Sequence, residues 1–245
     1  MDIDHIPLLQ TARDLHDVPR GIERFNAYIK TILNDERTDA ELVPLIAMNP
    51  MGRQHVAARL DEWLALDADV SAAEITREAG SELDDPGHFK HGLVILDDVR
   101  GGWTNKYTSD AAFRFGEGRY EPNGQSWLTT PLLVSAAPTG ELLRAAIRTT
   151  IYRRAYGLRH ETTKTLRQIM TQEGKAAVFA DMTYTLDTDD LDYTRYVIAP
   201  YLDTDAFPVI MAALYGDEAA HSLGYPPLGL SAYAGFALAS ADYGG

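Results

Sequence analysis

Four consecutive aliphatic residues, Leu93, Val94, Ile95 and Leu96, run directly into two acids, Asp97 and Asp98. A bare apolar run this short, with turn-forming residues on both sides, suits a β-strand buried on both faces. Such strands belong to sheets covered by helices on each side. The run therefore predicts a mixed α/β or α+β architecture, with a sheet contributed by the N-terminal half.

The two acids stand at the carboxyl end of that strand, where open α/β sheets place their ligand crevices. Side-chain alternation sends Asp97 and Asp98 to opposite sides, so only one can face a given crevice. Gly101 and Gly102 follow and let a backbone approach a ligand closely. Trp103, Asn105 and Lys106 then supply a ring, an amide and a cation, a mixture that lines small-molecule pockets. The expectation is that Asp97 or Asp98 acts as general base or metal ligand while these residues orient the ligand. His91, just upstream, would join the acids as a metal ligand if the chain doubles back, a donor set that suits zinc, manganese or iron. A magnesium ion held by one acid and a ligand phosphate needs fewer protein ligands. The same residues also make good turn and strand chemistry, and a hairpin with a buried Trp103 would use them without any function.

From Leu93 to Thr104 the chain partly resembles the phosphoribosyltransferase motif, in which four apolar residues precede two acids, a small-residue turn and a Thr. The acids and Val99 fit that pattern. The turn departs from it, since Arg100, Gly101, Gly102 and Trp103 stand where the family carries small or Thr-rich residues that cradle a 5-phosphate.

Charge narrows the partners. The chain has 22 basic and 36 acidic residues, a net charge of −14. Affinity for nucleic acid and anionic lipid comes mainly from neutralising phosphates, so neither partner is expected. Residues 141–167 run the other way, with seven basic side chains against two acids. There, Arg144 and Arg148 either supply counter-charge to a small anion or pair internally with the acids at Asp187, Asp189, Asp190 and Asp192.

Helical spacing is clear over residues 19–34, over a stretch carrying Val56, Leu60, Trp63 and Leu64, and over a long helix capped by Thr139. Ser71 and Glu74 predict a capping box, and Gly80, Gly157 and Gly174 predict helix ends. Residues 42–48 suggest a strand leading into a turn, although Pro44 argues against a central position. Residues 103–115 have more β than helical character. Residues 116–125 read as loop, residues 128–134 as strand, and residues 224–245 as an extended or loose arm. The C-terminal half is otherwise helical. One domain spanning residues 1–245 is the economical organisation, with a weak break near Pro138 the one subdivision to consider.

Several classes fall away. Absence of cysteine excludes disulfides, thiolate metal sites and a cysteine nucleophile. No apolar run approaches the length of a membrane span, and the start, MDIDHIPLLQ, lacks a signal-peptide pattern, which points to the cytoplasm. There is no Walker loop, no dinucleotide-binding glycine fingerprint and no metalloprotease histidine pair. Ser135 lacks the glycines of a nucleophile elbow. Two functions remain. One is an enzyme binding a small anionic metabolite at the end of the strand at residues 93–96, with a divalent metal as an optional cofactor. The other is a non-catalytic binding or assembly protein, with an oligomer interface in the Tyr- and Gly-rich C-terminal region.

Overall fold

In the computed structural model, residues 1–99, 105–115 and 127–243 are described. They form two compact units, Met1–Ile151 and Tyr152–Gly245. The fold is mixed α/β, with a parallel sheet in the N-terminal unit and helices throughout the C-terminal one.

The N-terminal unit opens with β1 (Asp2–His5), α1 (Leu9–Asp17) and α2 (Ile22–Ile32). A short 3-10 helix (Val43–Ala47), α3 (Gln54–Ala65) and α4 (Ala68–Ser81) lead to β2 (His88–Leu96). Then come α5 (Lys106–Phe115), β3 (Trp127–Leu133) and α6 (Gly140–Arg159), whose last turns lie in the second unit. The strands lie in the order β1-β2-β3, both neighbours parallel. β2 is thus central, and Leu93, Val94, Ile95 and Leu96 are each at most 3% exposed. Pro131 sits in β3, the outer strand, where a missing N–H is tolerated.

Three local expectations are corrected. Residues 42–48 are no strand: Pro44 falls in the first turn of the 3-10 helix, where its fixed φ and absent N–H cost nothing. That turn packs on β2 at Gly92, where a Cβ would come within 2.8 Å of Pro44 Cγ. The described part of residues 103–115 is helical. Asn105 Oδ1 accepts from the Tyr107 and Thr108 amides, and Tyr107, Ala111 and Phe115 bury one face at four-residue spacing. The capping box at Ser71 does not form, because the N-cap of α4 falls four residues earlier, at Asp67, whose φ is +50°.

The C-terminal unit holds α7 (Leu166–Phe179), α8 (Thr188–Ile198), α9 (Phe207–Tyr215), α10 (Asp217–Leu223) and α11 (Ala234–Tyr243). Of the predicted extended or loose arm, residues 224–233 are non-helical and anchored where the Asp217 carboxylate accepts the amides of Leu228, Gly229 and Leu230, while residues 234–243 form α11. Gly157 and Gly174 lie inside α6 and α7 rather than ending them. Gly174 is glycine for proximity: a Cβ there would stand 2.1 Å from the Ala239 carbonyl oxygen of α11. The residues predicted as loop at 116–125 lie outside the described part of the chain.

Candidate functional site

Just past the carboxyl end of β2, Asp97 pairs with His55 of α3 and Asp98 with Ser135 at the end of β3. Asp97 is 4% exposed. Its Oδ1 accepts a 2.8 Å hydrogen bond from His55 Nε2 and a 3.3 Å bond from the Val99 amide. An ionised carboxylate only accepts, so His55 carries its proton on Nε2 and presents an Nδ1 lone pair. No described residue bonds to that Nδ1. Asp98 accepts from the backbone amide of Ser135 at 2.9 Å and from its hydroxyl. Ser135 follows β3 directly, and the Val134 amide continues the ladder to the Leu96 carbonyl.

His55 and Ser135 line one open cleft of about 620 Å³, together with Arg53, Arg59, Val99 and Val134. His55 reaches it from the first turn of α3. That helix start has no side-chain cap, and Arg53, at the capping position, is exposed and makes no ion pair with a described residue. Arg59 Nη1 donates to Glu62 at 2.6 Å, whereas its buried Nε has no partner among the described residues. The loop leading into α3 is held from below: Arg20 donates to the Met51 carbonyl and Arg24 to the Gly52 carbonyl. Arg24 is only 7% exposed, and its other bonds go to the Val18 and His16 carbonyls and to His16 Nδ1. His16 is kept neutral, its pKa pushed down to about 4 by burial first and then by Arg24, Arg13 and His55. The surroundings of the cleft are thus rich in guanidinium groups, while Asp97 is buried behind His55.

The other sequence candidates fall elsewhere. His91 is fully buried, with its ring between His5 and Thr130. It lies six residues before Asp97, roughly 20 Å along a strand, so the structure does not bring it to the acids. Among the described residues no group of three or more His, Asp or Glu side chains is arranged to hold a metal ion. Asn105 caps α5, and Lys106 lies 4.6 Å from the centre of the Tyr107 ring. Gly101, Gly102 and Trp103 lie outside the described residues. Arg144 pairs with Glu78 at 3.0 Å, and Arg148 holds Glu82 with two bonds of 2.7 and 2.8 Å. The Arg148 hydrogen bonds keep the Glu82 carboxyl below its ordinary range. This is internal pairing, but with α4 and the residue at its C-cap rather than with the acids after Asp181. Of those acids, Asp187 caps α8 and Asp192 pairs with Arg195.

Sequence reasoning missed the pairing of His55 with Asp97, because 42 residues separate them. The available signal was weak: a helix start after Asn49-Pro50-Met51-Gly52 with a histidine in its first turn. Ser135 and His55 share a cleft with Asp97 behind the imidazole, but the three form no triad, since the Ser135 hydroxyl donates to Asp98. No described helix is long and apolar enough to cross a membrane. Compared with protein-family models, curated proteins and solved structures, the chain matches none of them.

Proposed function

We propose that the chain is an enzyme that binds a small anionic metabolite at the carboxyl end of β2, with His55 as the general base and Asp97 as the group that orients it. One observation carries this reading: a buried carboxylate fixes the imidazole tautomer and leaves its basic nitrogen, on a residue that lines a cleft, without a partner among the described residues. Such a pair accepts a proton from a bound ligand at Nδ1, and Asp97 stabilises the imidazolium that results. Arg53, Arg59 and the uncapped start of α3 favour a ligand with negative charge. Both acids already accept hydrogen bonds from protein groups, which favours acid–base work over direct metal ligation. A magnesium ion would then arrive with the ligand's own phosphate.

A thermal-shift screen with phosphate, sulfate and small di- and tricarboxylates, each with and without magnesium, tests this. A ligand at a hundredfold excess over its Kd adds about 2.7 kcal/mol of stability, or roughly 5–10 °C for a chain of this size. Arg53→Gln is expected to weaken the response at least tenfold, while His55→Gln retains binding. Absence of a response to any anion would remove the proposal.

The assembly reading keeps one supporting observation. In the C-terminal unit a groove of about 490 Å³ is lined by Tyr196, Pro200, Tyr201 and Pro227, and Tyr196 is 80% exposed.

A further inference from the structure

A continuous line of hydrogen bonds crosses the sheet of the N-terminal unit, away from the cleft. Asp69 of α4 accepts from His5 Nε2 at 3.0 Å, His5 Nδ1 meets His91 Nδ1 at 2.8 Å, and His91 Nε2 meets Thr130 Oγ1 at 2.9 Å. It joins α4, β1, β2 and β3 through four side chains. His91 and Thr130 are 0% exposed, the His5 side chain 2% and the Asp69 side chain 13%.

The proton order along this line is fixed by its end. Ionised Asp69 offers acceptors only, so His5 carries its proton on Nε2 and presents Nδ1 as an acceptor. His91 must then donate from Nδ1, which leaves its Nε2 to accept the Thr130 hydroxyl proton. Each ring is neutral and each ring nitrogen is satisfied.

We propose that this line is an acid-operated switch that stores one proton and reverses direction as it does so. The added proton goes to His5, the ring that faces a carboxylate. His5 then donates from both nitrogens. His91 can accept only by moving its own proton from Nδ1 to Nε2, and the Thr130 hydroxyl must turn from donor to acceptor. One extra proton is thus accommodated with the His5–His91 and His91–Thr130 bonds reversed and intact, and the His5–Asp69 link between β1 and α4 gains full charge. A second proton has no place, because His91 would become a buried cation against a cationic neighbour. Burial, and then the charge on His5, indeed hold the His91 pKa well below the ordinary histidine value.

The charged surroundings are few. From α4 the facing group is Asp69, which also accepts the Leu9 amide at the start of α1. From β2 it is His91, and β3 contributes only the Thr130 hydroxyl. No other charged side chain among the described residues bonds to these four. Asp2 and Asp4 both pair with the exposed His88.

Nitrogen-15 NMR of the full chain labelled at histidine reads both tautomers directly. At neutral pH His91 is expected to show a protonated Nδ1 and a bare Nε2. On acidification these should exchange, with the same midpoint as conversion of His5 to imidazolium. Asp69→Asn should lower that common midpoint, since the adjacent negative charge that favours the imidazolium is lost. A protonated His91 Nε2 at neutral pH overturns the proposal. So does an unchanged His91 while His5 gains its proton, or unfolding before either ring changes. Should Asp69→Asn fail to fold, the wild-type spectra decide alone.

Discussion

His16 shows how a single side chain sets a pH limit for its unit. Its Nδ1 accepts from the Arg24 guanidinium and its carbonyl accepts from the same group, so the ring is packed against a buried cation. With a folded pKa near 4 against an ordinary value of 6.5, the unfolded chain binds the proton first. Stability is therefore complete above about pH 6.5 and falls as the pH drops towards 4. The cost is on the order of 2 kcal/mol by pH 5 and about 3 kcal/mol in full, if no other group moved. His91, also depressed, pushes in the same direction. Chemical denaturation between pH 7 and 5 should therefore give a falling stability in the wild type and a distinctly flatter profile in His16→Gln. Equal slopes for the two proteins would show that other groups govern acid sensitivity.

Glycine spacing marks how the C-terminal helices are assembled. The Gly174 Cα lies against the Ala239 carbonyl, and a Cβ on Gly235 would come 2.3 Å from the Ala213 carbonyl of α9. Because α11 meets backbone on both sides, neither neighbour can yield by rotating a side chain. Gly174→Ala gains helix propensity of about 1 kcal/mol, yet overpacking of this kind costs typically 1–3 kcal/mol or more. The clash should win here because the methyl would overlap backbone. Thermal unfolding should show a net loss, and a gain in melting temperature would mean that the helices can separate without penalty. The same glycines explain where sequence reading stopped. Within a single helix a glycine resembles an end signal, and only the partner helix reveals it as a contact point. Residues 93–96 were readable because full burial of a central strand demands an unbroken apolar run. Residues 106–115 were not, since the rings that bury their helical face, Tyr107 and Phe115, belong to types that also favour strands. That two acids follow the central strand was readable because they end its apolar run. His55 was not, as the fold alone decides that α3 starts beside them.

Over the whole chain, electrostatics sets two effects against each other. Met1–Ile151 carries 15 basic and 24 acidic residues, and Tyr152–Gly245 carries 7 and 12, so each unit is negative in its own right. Self-repulsion of this kind acts against compact states and is screened by salt, with a Debye length of about 10 Å at 0.1 M. The same salt weakens exposed pairs such as Arg195 with Asp242 and Arg167 with Asp203. Exposed pairs contribute only about 0–1 kcal/mol each. The pairs that matter most are buried and poorly screened: Arg153 meets Glu173 through bonds of 2.7 and 2.8 Å, with the Glu173 side chain 2% exposed. Screening should therefore relieve more repulsion than attraction. Raising sodium chloride from about 0.01 to 0.15 M is expected to increase the melting temperature by a few degrees, with most of the change complete once the Debye length falls below about 10 Å. Calorimetry at fixed neutral pH measures this, with an uncharged osmolyte as the control for general solvent effects. A melting temperature that falls with salt would mean that surface pairs, rather than net charge, dominate the electrostatic contribution to stability.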